Sequence, residues 1–153
     1  MVVFAHTRDS FAEAFFPRWA EWVSAGTLAF CGFVLRENDT LMAGATTDAY
    51  KVLLAIATQS SWSVVLIMFA MARIVVLFVN GAWRRSPHLR TTMAFLACYW
   101  WTTVALSMYT IFGLAFAFAC GFLVLDIGNA YRAARDARTV DDRIRTQGNG
   151  KPN

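Results

Sequence analysis

Apolar positions along the chain gather into three long blocks. The first runs from about Trp19 to Leu35. The second starts near Val52 and continues through Arg73 towards Trp83. The third runs from Thr91 to Leu125. The third block is 35 residues without Asp, Glu, Lys, Arg, Asn, Gln, His or Pro. As one helix it would measure about 52 Å at ~1.5 Å per residue, against about 30 Å for the hydrocarbon core of a bilayer. That is too long for one comfortable crossing and close to the length of two.

The polar segments between the blocks decide the arrangement. Residues 36–51 form a loop in which Arg36 and Lys51 face Glu37, Asp39 and Asp48, for a net charge of −1. Residues 80–91 form a basic loop with Arg84, Arg85 and Arg90, in which Asn80-Gly81 and Pro87 signal a turn. Asp126 opens a charged tail with Arg132, Arg135 and Arg138 spaced three apart, and its end, TQGNGKPN, is expected to be disordered. Lys and Arg accumulate on the cytoplasmic side of a membrane. Placing the basic loop and the tail together there requires an even number of crossings between them. The third block then becomes a hairpin, and the N-terminus falls on the same side.

The pattern therefore predicts an all-α, integral membrane four-helix bundle, N-in and C-in. Its spans lie at about 19–35, 52–72, 92–108 and 111–126, in one domain over 1–138 followed by a polar cytoplasmic tail over 139–153. The last two spans form the tight hairpin. Ser107-Met108-Tyr109-Thr110 is poor turn material and Gly113 is the first strong breaker, so one long tilted helix over 91–125 stays open as the alternative. Ser10 followed by Glu13 is a capping-box pattern, so a short helix from Phe11 is expected, either interfacial or an extension of the first span. Ala25 and Ala29 make a small pair on the first span that suits close helix contact.

Composition strengthens the membrane reading. The chain is 58% hydrophobic and 16% charged, where soluble domains carry ~25% charged residues. The net charge of +4 reads as orientation in a bacterial inner membrane. A basic inner face of Arg84, Arg85, Arg90, Arg132, Arg135 and Arg138 suits anionic lipid. Nucleic acid is not expected as a partner, because no aromatic platform accompanies the arginines.

Candidate chemistry is sparse. His6 and His88 are isolated, and no nucleophile elbow, zinc-protease motif, P-loop or dinucleotide-binding pattern occurs. No enzyme activity, cofactor or metal site is expected. Cys31, Cys98 and Cys120 are scattered, so no disulfide is expected either. Gly113, Ala117 and Gly121 lie one turn apart and form a small-residue face for helix association, within the chain or between copies. Glu21, Arg73 and Asp126 are predicted to cluster at the inner membrane boundary, with Arg73 paired to Asp126 or to Glu21. Such a cluster is a structural clamp, a set of snorkelling charges or an ion path. Gln59, Ser60 and Ser63, with Thr102 and Thr103, are candidates to line a pore, the alternative being interhelical hydrogen bonds. Trp62, Trp100 and Trp101 fall near mid-depth, either as packing residues or facing a quinone, pigment or lipid.

The loop Asn80-Gly81-Ala82-Trp83-Arg84-Arg85-Ser86-Pro87-His88-Leu89-Arg90 resembles a segment of small multi-span membrane proteins encoded by bacteriophages and prophages. So does the exit Asp126-Ile127-Gly128-Asn129-Ala130-Tyr131-Arg132-Ala133-Ala134-Arg135-Asp136-Ala137. The resemblance covers about residues 70–138, and that group is largely uncharacterised. It implies a non-enzymatic inner-membrane protein acting through helix association, in assembly or host-membrane modification, as a homo-oligomer or in a larger complex. Small size, several spans and a charged tail also resemble a holin, which makes a pore-forming permeability factor the alternative. An accessory subunit of a larger membrane complex is the other.

Overall fold

A computed structural model describes residues 18–44, 48–82, 87–109 and 113–149. The expected helix from Phe11, and Trp83, Arg84 and Arg85 of the basic loop, lie outside the described residues. The described chain is all-helical. Helix α1 is Trp19–Glu37, a 3-10 turn covers Asp48–Tyr50, α2 is Lys51–Ile56, α3 is Gln59–Ala82, α4 is Pro87–Met108 and α5 is Leu114–Asn149.

The local chemistry of the helix ends explains these bounds. Glu21 sits in the first turn of α1 and Arg36 in its last, each favourable to the helix dipole. Asn38 closes α1: its backbone N–H donates to Val34 O at 3.2 Å and its side-chain amide to the same oxygen at 2.9 Å. Pro87 occupies the first position of α4, where its missing N–H costs nothing. The long apolar block ends as a helix at Met108 and restarts at Leu114. It is two helices rather than one, and they pack along each other.

Two boundaries differ from the expectation. The second block is not one helix over 52–72. Ala57 is extended, with φ −154° and ψ 162°. Thr58 then caps α3, its Oγ1 accepting from the Ser61 N–H at 3.3 Å and meeting Ser61 Oγ at 2.9 Å. The Ser/Thr cluster read as the polar middle of a span is therefore a helix start. The tail also departs from expected disorder, because α5 continues through Thr146 to Asn149. The preceding part of α5, expected to be helical, is held against the start of α4 as far as Asp141: Ala130, Ala133 and Ala137 are buried, Asp136 meets Arg90 at 2.8 Å and Asp141 meets His88 at 3.2 Å.

The four long helices arrange as two closely packed pairs, α1 with α3 and α4 with α5. The pairs meet through α1 against α5 and α3 against α4. Buried positions recur at spacings of three and four: Glu21, Ala25, Leu28 and Gly32 on α1; Ser63, Leu66, Ala70, Arg73 and Leu77 on α3; Arg90, Ala94, Ala97, Trp101 and Ala105 on α4. That spacing is the seam of near-antiparallel helix packing. Small residues dominate the seam, which lets backbones approach closely. On α1, Ala25 and Gly32 fill the contact, while Ala29 is only partly buried.

Gly32 marks the tightest approach. A Cβ there would lie 2.8 Å from Ile67 Cγ1 and 3.1 Å from both Ile67 N and Ser63 O. Two of those three atoms are backbone and cannot rotate away. Gly32→Val is expected to push α1 off α3 and cost about 1–3 kcal/mol, read as a lower unfolding midpoint in detergent. An unchanged midpoint would refute the close approach.

Two helical stretches are long and apolar enough to cross a membrane, Gln59–Asn80 and Leu114–Asp142. This is fewer than the four expected. Helices α1 and α4 fall below the same hydropathy, α1 chiefly because it carries Glu21 and Arg36 and α4 because it carries four threonines together with Tyr99, Trp100 and Trp101.

Candidate functional site

Charged side chains are buried in two layers. The upper layer centres on Arg73, which is 1% exposed, and Asp126, which is wholly buried. Arg73 Nη2 donates to Asp126 Oδ1 at 2.5 Å and Nη1 to Oδ2 at 3.0 Å. This is the two-pronged geometry in which guanidinium and carboxylate bind most strongly. Ser24 joins them: its hydroxyl donates to Asp126 Oδ2 at 2.5 Å and accepts from Arg73 Nη1 at 3.1 Å and Trp101 Nε1 at 3.0 Å. Asn129 Nδ2 donates to Asp126 Oδ1 at 3.0 Å, and Arg132 Nη2 donates to Asn129 Oδ1 at 2.7 Å. All four long helices thus contribute to one hydrogen-bonded knot.

The lower layer centres on Glu21 and Arg90. Arg90 Nε donates to both Glu21 carboxylate oxygens at 3.0 Å, Nη2 donates to Oε1 at 2.7 Å, and Nη1 donates to Asp136 Oδ2 at 2.8 Å. Burial by itself would lower the Arg90 pKa. The Glu21 hydrogen bonds and charge, then those of Asp136, outweigh it and leave the group raised. Glu21 and Arg73 therefore do not pair, and the single cluster predicted from sequence is two. A long arginine side chain finds the acid on the facing helix at its own height, which sequence distance does not reveal.

The heights are informative. Arg90 is about 27 Å from the far end of α4 at Met108, and Asp126 about 18 Å from the start of α5, at ~1.5 Å per residue. The lower layer thus lies one hydrocarbon thickness from the opposite helix ends. The upper layer lies roughly 9 Å inside it. Between the helix ends the surface is apolar. Among the described residues, no exposed Asp, Glu, Lys or Arg occurs over 22–35, 60–79, 91–109 or 113–131. Phe30, Met68, Phe95, Leu114, Phe118 and Val124 instead point outward, each at least 60% exposed.

The pore candidates do not share a path within the chain. Gln59 is buried and clasps the turn after α1, donating to Leu35 O at 2.8 Å and to Asn38 O, and accepting from the Met42 N–H at 2.8 Å. Ser63 Oγ donates to Gly32 O at 2.8 Å. Ser60 and Thr102 are exposed. Thr102 and Thr103 each donate to their own helix, to Cys98 O and Tyr99 O. The restart of α3 at Gln59 also moves this polar group from mid-span to the far end.

The small-residue face is not used inside the chain. Ala117 and Gly121 are exposed, Gly113 is partly buried, and a Cβ on Gly121 or Gly128 would meet nothing within 4 Å. Of the basic residues, Arg90 is buried in the lower layer, Arg132, Arg135 and Arg138 are exposed on α5, and Arg84 and Arg85 lie outside the described residues. Cys31, Cys98 and Cys120 are free thiols. Among the described residues, no group of His, Cys, Asp or Glu is placed to hold a metal ion.

Sequence reasoning missed Ser24, Arg90 as a buried partner, Asn129 and Asp136. Asn129 and Arg132 were findable, since they follow Asp126 at steps of three on one helix face. Asp136 follows Arg132 at a step of four on the same face; Ser24 carried no such signal. No family model, curated protein or solved structure matches this chain.

Proposed function

We propose that the chain is a non-enzymatic integral membrane protein of a bacterial inner membrane, crossing it four times with N- and C-termini inside and acting by association of its helices. The observation that carries this reading is the inversion of the surface. Charged groups are buried in pairs, and large apolar side chains face outward over one hydrocarbon thickness. A water-soluble protein would expose the opposite set. Helices α1 and α4, too polar to qualify by hydropathy, are acceptable spans here because their polar groups bond internally. Tyr131, 72% exposed, falls about 26 Å along α5, where an interfacial aromatic belt would lie.

The open face of Ala117, Gly121 and Gly128 supports association between copies, because lipid chains pack poorly against bare backbone and a second helix packs well. The likeness to phage-encoded membrane proteins suits assembly or host-membrane modification. A pore receives no support from Gln59 or Ser63, which are engaged in interhelical bonds. Exposed Arg132, Arg135 and Arg138 at the inner surface suit anionic lipid headgroups.

Gly121→Ile is expected to weaken self-association about tenfold, measured as monomer–oligomer distribution against detergent dilution. Equal distributions for the variant and wild type would remove this face from the interface. Carbonate extraction tests the membrane placement, and labelling tests its topology. Cysteines at Asp48 and Tyr109 should react with an impermeant maleimide from outside the cell and a cysteine at Arg138 should not.

A further inference from the structure

A cavity of about 310 Å³ lies at the outer end of the bundle, between α1, α3 and α4 and beneath α2. We infer that it holds one acyl chain of a zwitterionic membrane phospholipid from the outer leaflet. The inference rests on the membrane placement proposed above.

The walls select hydrocarbon. Phe30 and Val34 of α1, Trp62 and Leu66 of α3, and Trp100 and Val104 of α4 supply most of the surface. Trp62 and Trp100 meet edge to face, with centroids 5.9 Å apart and planes at 87°. The donors of Trp62, Thr103 and Ser107 are already engaged, while the Cys31 thiol and the Tyr50 hydroxyl also line the cavity. Trp62 Nε1 donates to Leu53 O at 2.8 Å, which also ties α2 over the cavity. Thr103 donates to Tyr99 O at 2.9 Å and Ser107 to Val104 O at 2.8 Å. A quinone or pigment with polar ring substituents would find those donors already committed.

The volume and position select the source. The cavity falls at the lower end of the range of small-ligand pockets, about 300–1,000 Å³. It is half open to the surface of the bundle, so a chain can enter from the side, and its apolar walls hold water poorly. Its lining residues stand on the outer side of the upper charge layer, at the depth of the outer leaflet's acyl chains. The rim carries Tyr50, next in sequence to the Lys51–Asp48 ion pair. The outer loop has a net charge of −1, so it does not attract an anionic headgroup; Asp48 and Lys51 neutralise each other, which leaves a headgroup without net charge as the one this end accepts.

The test is native mass spectrometry of the full chain, extracted from membranes and then doped with phosphatidylethanolamine, in detergent that strips surrounding lipid. Wild type is expected to retain one phosphatidylethanolamine. Val34→Phe and Val104→Phe fill the cavity and are expected to cut the retained fraction about tenfold. Val124→Phe, on the outward face of α5, is expected to leave it unchanged. A wild type without retained lipid, or one that carries a quinone instead, overturns the inference. So do filled variants that keep the lipid, or that lose self-association and nothing else, since a second copy would then be the occupant. Release of the protein by carbonate would defeat the membrane placement itself. Carbonate resistance without a retained lipid would defeat only the cavity's occupant.

Discussion

Replacing Asp126 by leucine is expected to destabilise the protein by about 3–5 kcal/mol, the range for breaking one partner out of a buried ion pair. Arg73 would remain at 1% exposure, having lost both carboxylate contacts and keeping only the Ser24 hydroxyl. The penalty comes from the stranded guanidinium rather than from the bond itself. The double variant Arg73→Met, Asp126→Leu should therefore recover most of the loss, because well-packed apolar replacements of buried pairs are often neutral. Unfolding by SDS titration in detergent micelles reads both. A double variant as unstable as the single one would show that the upper layer does more than balance charge. Full stability of Asp126→Leu would refute the pair.

Replacing Arg90 by leucine is the second large effect, again about 3–5 kcal/mol. Glu21, 2% exposed, would lose its three hydrogen bonds from the guanidinium. Arg90→Lys should restore the charge but only part of the stability, because an ammonium cannot span both carboxylate oxygens as the planar fork does. Asp136→Ala should cost less than about 1 kcal/mol, since the Asp136 side chain is 57% exposed. The ordering leucine, then lysine, then Asp136→Ala is the check, read as thermal midpoints. If Asp136→Ala matched Arg90→Leu, the centre of the lower layer would be Asp136 and not Glu21.

Both variants probe partner choice, and partner choice is where sequence and structure part. Arg73 and Asp126 are visible as isolated charges in apolar blocks, so the need for a partner is legible. Which acid meets which arginine depends on relative height and rotation across helices tens of residues apart. Glu21 lies beside Arg90 because α1 and α4 bring them to one level, and no local pattern encodes that level. The break at Ala57 is a different kind of miss. Thr58 and Ser61 are ordinary helix-start residues, and the signal was present but overridden by the continuity of the apolar block. Only the last turn of the tail, Thr146 to Asn149, differs from the expectation; the ion pairs of His88 with Asp141 and Arg90 with Asp136 tie the preceding turns to another helix, a stabilisation that composition does not contain.

The Gly113, Ala117 and Gly121 face shows the same division. Its spacing places it on one side of a helix from sequence alone. Whether that side packs inward or outward was undetermined until α5 took its position, with Ala119, Asp126, Asn129 and Ala130 turned to the core. The outer cavity had no sequence signature, because its lining comes from three long helices, a short helix and the turn between them.

By itself the sequence determined the all-helical class and the long apolar blocks, and it favoured two helices over one long helix in the 91–125 block, a choice the structure made. These follow from local hydropathy, chain length and charge placement, which act over a few turns. Only the tertiary structure decided the two charge layers, the outward turn of the small-residue face, the clasp of Gln59 and the cavity. Those depend on the axial offset and rotation of whole helices against one another, and such offsets are set by packing at every contact along the seam together.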